Sequence, residues 1–129
     1  MSSFSVGFHS VGAIEVLTLI GDLDAHTVSE LDAAILMCRQ NGRHKIVVDG
    51  SSLFYISSAG LGAFVGHIDD IREQGGDIKI ASLSSKILNV FDLLGLPLLF
   101  NIVDTIDEAI ALFEPDLPAS PKQDVIAMV

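Results

Sequence analysis

Basic residues are scarce in this 129-residue chain: seven Lys and Arg stand against seventeen Asp and Glu, for a net charge of -10. That sign excludes ordinary binding to a nucleic-acid backbone, which demands a basic stripe, and the sequence contains none. Acidity of this degree either serves solubility or steers the chain toward a partner with a basic face, and composition alone leaves both open. Cysteine occurs once, at Cys38, which excludes an internal disulfide and a multi-cysteine metal site. Its position in a helical apolar stripe predicts burial as a small hydrophobe. No apolar run approaches the roughly 18 residues needed to cross a bilayer, and no basic segment leading into an apolar stretch opens the chain. A soluble, cytoplasmic protein without a membrane partner is expected.

Hydrophobic residues make up 50% of the sequence, enough to bury a core in one domain. Three of the four prolines, Pro115, Pro118 and Pro121, lie close together near the end. The expected organisation is therefore a domain over residues 1–114 and an extended Pro-containing tail over 115–129.

Phe4, Val6 and Phe8 alternate with small or polar residues, and a turn at Gly12 leads to the apolar run from Ile14 to Ile20, which predicts an antiparallel hairpin. Thr27 and Glu30 have capping-box spacing, opening a helix whose apolar face holds Val28, Leu31, Ile35 and Cys38. Asn41-Gly42 ends that helix, and Lys45 to Asp49 reads as a short buried strand. Gly50 to Tyr55 reads as a polar and aromatic connection to Ser57-Ser58. A second helix then carries Leu61, Phe64, Val65, Ile68 and Ile71 on one face, with Gly75-Gly76 as its stop. Asp77 to Ala81 is a further strand, Ser84 caps a third helix, and Gly95 breaks it before the apolar run Leu98 to Val103. Thr105 and Glu108 repeat the capping-box spacing ahead of a last helix. The predicted fold is α/β: a mixed sheet of about five strands, an N-terminal antiparallel hairpin followed by parallel βαβ units, with about four helices.

The stretch Asp49-Gly50-Ser51-Ser52-Leu53-Phe54-Tyr55-Ile56-Ser57-Ser58-Ala59-Gly60-Leu61-Gly62 resembles the signature of the STAS domain family, which includes bacterial anti-sigma factor antagonists. Asp49 matches that family's strand-end aspartate, Ser57 stands where it often has Asp, and Ser58 matches its phosphorylated serine, followed by Ala59, Gly60 and Leu61. Gly21 to Asp24 resembles its Gly-x-Leu-Asp segment, and Leu93-Leu94-Gly95-Leu96 with Phe100 its third-helix ending. The resemblance covers about residues 4–113. It implies a regulatory protein rather than an enzyme, without cofactor or metal. Unmodified, it would bind an anti-sigma factor that is also a serine kinase, releasing the sigma factor. Phosphorylation of Ser58 would end binding and a serine phosphatase would restore it. The alternative within the same family is a scaffold module of a signalling complex that needs no phosphorylation. Oligomeric state stays open.

The residues add a local rationale. A helix start presents unpaired backbone amides and partial positive charge, so it tolerates a phosphate. Ser57 or Ser58 as a cap is worth about 0.5 to 2 kcal/mol. Capping does not explain Ala59, Gly60, Gly62, Ala63 and Gly66, because each helical glycine costs about 1 kcal/mol relative to alanine. Either the helix lies close against the sheet or its first turns stay open to a partner. Ser57 brings no charge beside Ser58 and is a minor alternative acceptor. Asp22 and Asp24, in the loop before the first helix, are assigned to turn chemistry and to the edge of a partner footprint that also takes in Ser57, Ser58, Ala59, Gly60, Leu61 and Gly62. Leu93 and Leu96 are assigned to core packing, with an extension of that footprint as the alternative.

Other chemistries fail on spacing. A hydrolase elbow needs Gly-x-Ser-x-Gly, but Ile56 occupies the first glycine position. His9, His26, His44 and His67 show no triad or metal-ligand spacing. Gly60, Gly62 and Gly66 fit neither the dinucleotide fingerprint nor the P-loop.

Overall fold

The computed structural model describes residues 3–113, so the tail expected over 115–129 lies outside the described residues. The elements are β1 (Phe4–Val11), β2 (Ile14–Leu23), α1 (Val28–Gln40), β3 (Lys45–Ile56), α2 (Ser58–Glu73), β4 (Asp77–Ala81), α3 (Ser85–Leu93), β5 (Ile102–Val103) and α4 (Ile106–Phe113), with a 3₁₀ turn, Leu96–Leu98, before β5. The sheet order follows the chain order, β1-β2-β3-β4-β5. Only β1 and β2 pair antiparallel; the other neighbours are parallel. This is the mixed five-stranded sheet with four helices that the periodicity predicts.

Each crossover moves one strand in the same direction, so crossovers of one hand place their helices on one face. The larger core accordingly joins Leu31, Ile35 and Cys38 of α1, Leu61, Phe64 and Ile68 of α2, and Ile87 and Phe91 of α3 to one side of the sheet. Phe64 sits at its centre, with ring centroids 6.4 Å from both Phe91 and Phe100. A smaller core on the opposite face packs Ala109 and Phe113 of α4 on Ile14, Val16, Val47 and Ala81. The hairpin is tied down by Arg43, which donates to the buried Glu15 carboxylate at 2.8 Å and to the carbonyls of Gly12 and Ile14.

Two local expectations change. The segment from Gly50 to Tyr55 is not a connection but the second half of β3. It pairs with β2 through register shifts: Thr18 to Ile20 opposes Asp49 to Ser52, and Gly21 to Asp22 opposes Leu53 to Tyr55. The extra residues bulge on β3 and destroy the two-residue alternation by which a strand is recognised. The capping box at Thr27 does not form. Thr27 has φ -113° and ψ -10° rather than an extended backbone, and its side chain makes no cap bond to α1. The second such box is partly made: the Glu108 amide donates to Thr105 Oγ1 at 3.1 Å, and that hydroxyl donates to the Glu108 carboxylate. Ser84 caps α3 through the Ile87 amide.

Candidate functional site

Parallel β2 and β3 end at the same edge of the sheet, so the loop after β2 and the start of α2 arrive side by side. Leu23 pairs with Ile56, and the Ser57 amide donates to the Leu23 carbonyl at 3.0 Å. Gly21, at the head of the Gly-Asp-Leu-Asp segment, has φ +109°, and a side chain there would run into the backbone carbonyl of Ser3. Only glycine lets β2 pass so close to the chain end.

The loop from Asp22 to Thr27 holds itself together. Thr27, buried, donates its hydroxyl to the Asp22 carbonyl at 2.8 Å and accepts from the Asp24 amide at 3.0 Å. Asp24 Oδ1 accepts from the amides of His26, at 2.8 Å, and Thr27, at 3.2 Å. The Asp24 carboxylate is thus committed to an Asx turn. Thr27 replaces the missing forward cap with a backward one.

The two serines differ in a way the sequence does not reveal. Ser57 is the N-cap of α2 with an extended backbone, yet its side chain makes no cap hydrogen bond. Its Oγ is enclosed and has no partner among the described residues. Ser58, the first helical residue, is exposed. The first turn of α2 contains no acidic residue, so the helix dipole is uncompensated within it.

The small residues behind the serines divide between the two explanations. Gly60 is buried against Leu23, where a Cβ would lie 2.7 Å from Leu23 Cγ. Gly62 and Gly66 have open space where a Cβ would stand. Together with Ala59 and Ala63 they floor a groove of about 540 Å³ between α2 and α1, whose α1 side is formed by Val28, Asp32, Ala33 and Leu36. His67 closes it: Nδ1 lies 3.0 Å from the Arg39 guanidinium and Nε2 3.1 Å from the Asp32 carboxylate. Arginine only donates, so Nδ1 accepts and Nε2–H donates to Asp32.

Asp22, Asp24, Ser57, Ser58, Ala59, Gly60, Leu61 and Gly62 therefore share one edge of the fold, although Gly60 and Leu61 are buried there and support rather than form the surface. Phe54 and Tyr55, both exposed, belong to the same edge, Tyr55 lying opposite Asp22 in the sheet. The sequence signals neither, because the bulged strand looks like a loop. Asp49 is buried within β3 rather than at its end, and accepts from the Ser51 amide at 3.0 Å. Leu93 and Leu96 part company: Leu96 is core, whereas Leu93 is 85% exposed. Leu93 is also remote from Ser58. Arg72, in the last turn of α2, donates to the Leu99 carbonyl and the Asp77 carboxylate, which places the end of α3 at the opposite edge, where β4 begins. Among the described residues no helix is long and apolar enough to cross a membrane.

A family model described as the STAS domain matches residues 9–109. The anti-sigma-B factor antagonist of Staphylococcus epidermidis is 34% identical over 82 residues, which make up 64% of this chain and 76% of that protein. The solved structure of the anti-sigma factor antagonist SpoIIAA in its unphosphorylated form is similar with a TM-score of 0.74 at 23% identity, covering 88% of this chain and 100% of that one. The Bacillus cell fate determinant SpoIIAA in its phosphorylated form gives a TM-score of 0.64 at 24% identity, covering 84% and 97%. At such identities the two structures speak to the fold alone. With the family model matching most of this chain and the Ser57-Ser58 helix start in place on the mixed sheet, this chain belongs to the STAS domain family.

Proposed function

We propose that this chain is an anti-sigma factor antagonist whose unphosphorylated form binds an anti-sigma factor that is also a serine kinase, and that phosphorylation of Ser58 ends the binding. The observation that carries the reading is the contrast between the two serines: Ser58 is exposed on the first turn of α2, while the Ser57 hydroxyl beside it is enclosed. A kinase can reach the first and not the second. The name of the Staphylococcus epidermidis relative supports the antagonist part of the same reading.

Chemistry at the site explains how one modification suffices. A phosphate on Ser58 adds about -1.5 to -2 charges at a helix start that accommodates anions, so the domain stays folded. A partner packed on neutral Ser58, Ala59 and Gly62 meets a bulky dianion instead. A coupling of about 1 to 3 kcal/mol changes affinity roughly 5- to 150-fold without refolding. The kinase supplies the ATP chemistry, this chain supplies the hydroxyl, and a serine phosphatase resets it. The protein acts in the cytoplasm and needs no cofactor.

The test pairs mass measurement with capture. After incubation with the cognate kinase and ATP, one phosphate is expected on Ser58, and none on the Ser58→Ala variant. Ser58→Ala should retain the anti-sigma factor in pull-downs and Ser58→Glu should lose it. Equal recovery by both variants, or a phosphate on Ser58 that leaves affinity unchanged, overturns the switch and favours a scaffold role.

A further inference from the structure

One edge of the sheet stands open. Among the described residues β1 pairs with β2 alone, in a continuous register from Phe4 opposite Gly21 to Val11 opposite Ile14. The tight turn at Gly12-Ala13 makes Val11 and Ile14 a hydrogen-bonded pair, and the alternation of an antiparallel ladder then turns the amides and carbonyls of Ser5, Gly7 and His9 toward β2. The Asp22 amide donates to the Ser3 carbonyl in the same phase. The backbone groups of Val6 and Phe8 therefore point away from the sheet. Edge strands are ordinarily protected by Lys, Pro or a bulge, and β1 carries none of these. Beside it runs an apolar groove of about 340 Å³, with Val6 and Phe8 on one side and Ala33 and Met37 of α1 on the other. Phe8 and Met37 are half exposed there.

We infer that residues 125–129 add a sixth strand to the open edge of β1, antiparallel to it, with Ile126 and Met128 in the groove. The sequence Val-Ile-Ala-Met-Val is rich in β-branched residues and free of charged side chains, a composition suited to pairing with an uncharged edge. Reach is sufficient. Phe113, where the described chain ends, packs with Ile14 and Val16 of β2, the strand next to β1. At roughly 4.8 Å per strand the open edge is about 10 Å away across the sheet. Residues 114–124 span up to about 36 Å when extended, and Pro115, Pro118 and Pro121 favour extension. Direction agrees as well. Ile14 lies opposite Val11, so a chain arriving from Phe113 meets the Val11 end of β1 and runs back toward Phe4. Opposite residues of a ladder share a face. Ile126 opposite Phe8 and Met128 opposite Val6 thus put both side chains over the groove while their backbones take up the outward groups of Val6 and Phe8. The tether favours this occupant over others, because it holds the segment near the edge at roughly millimolar effective concentration. A second copy of net charge -10 is repelled.

Residue-resolved amide exchange on the full chain tests the inference. The Val6 and Phe8 amides should exchange about tenfold or more slowly than in the full-length double variant Ile126→Glu, Met128→Glu, in which a charge in the groove ejects the strand. Gly7 and His9, bonded to β2, should stay slow in both and report an intact hairpin. Met37→Glu, at the exposed rim of the groove, should release the same two amides from the α1 side. Rapid exchange at Val6 and Phe8 in the unsubstituted chain overturns the inference, as does protection that survives the double substitution. Protection that grows with protein concentration would give the edge to a second copy and overturn it too.

Discussion

Gly60 and Leu23 meet where no side chain fits: a Cβ on Gly60 would stand 2.7 Å from Leu23 Cγ and 3.0 Å from the Leu23 carbonyl oxygen. The same carbonyl accepts the Ser57 amide. One residue at the end of β2 thus sets both the height at which α2 begins and the closeness with which it lies on the sheet. The position of Ser58 at the edge follows from that contact.

Glycine substitutions should separate accordingly. Gly60→Ala is expected to destabilise the domain by about 1 to 3 kcal/mol through overpacking against Leu23. Gly62→Ala and Gly66→Ala meet open space and should stabilise α2 by up to about 1 kcal/mol each. Urea denaturation of the three variants reads the sign directly, and a stabilising Gly60→Ala would show that Leu23 yields.

Ser57→Ala tests the enclosed hydroxyl. A capping serine costs about 0.5 to 2 kcal/mol when lost, but this one makes no cap bond. Removing a buried, unpartnered hydroxyl relieves its desolvation cost and should raise stability by about 1 kcal/mol. A loss beyond about 1 kcal/mol in denaturant unfolding would mean that the hydroxyl is bonded in solution.

Thr27 should matter more than Glu30. Thr27→Val leaves the Asp22 carbonyl and the Asp24 amide without their partner and should cost about 1 to 2 kcal/mol. Glu30→Ala, at an exposed position outside any capping box, should cost less than about 0.5 kcal/mol. Amide exchange across residues 22–28 should quicken in the first variant only.

Burial pushes the Cys38 thiol up to about 11, with the nearby Glu15 carboxylate adding to the effect and Arg43 opposing it. The unfolded thiol ionises near pH 9, so between about pH 9 and 11 the unfolded chain holds fewer protons than the folded one. Stability from this group is complete below pH 9 and falls as pH rises toward 11. Native Cys38 should resist iodoacetamide at pH 8 while the urea-unfolded chain reacts. Equal rates would contradict the burial.

Elements whose signals are local were readable in advance. The helix stops at Gly42, Gly75 and Gly95 coincide with positive φ angles that glycine alone adopts easily. Ser84 and Thr105 accept the amides of Ile87 and Glu108, three residues on, as local caps do. At Thr27 the preceding loop competes for the hydroxyl, and the same Thr-x-x-Glu spacing gives another result. The long β3 was hidden because its bulges answer to β2, a partner about thirty residues away in the chain, rather than to its own alternation.

The sequence by itself determined the alternation of strands and helices, the sheet class and the helix start at Ser57-Ser58, since each depends on neighbours within a few residues: periodicity, caps and turns. Only the tertiary structure decided which serine is exposed, which glycines pack and which stand open, and that Leu93 faces outward at the far edge from Ser58. Those outcomes depend on what lies across the sheet or beside the helix. Burial is a property of the neighbours that folding supplies, and no local pattern contains it.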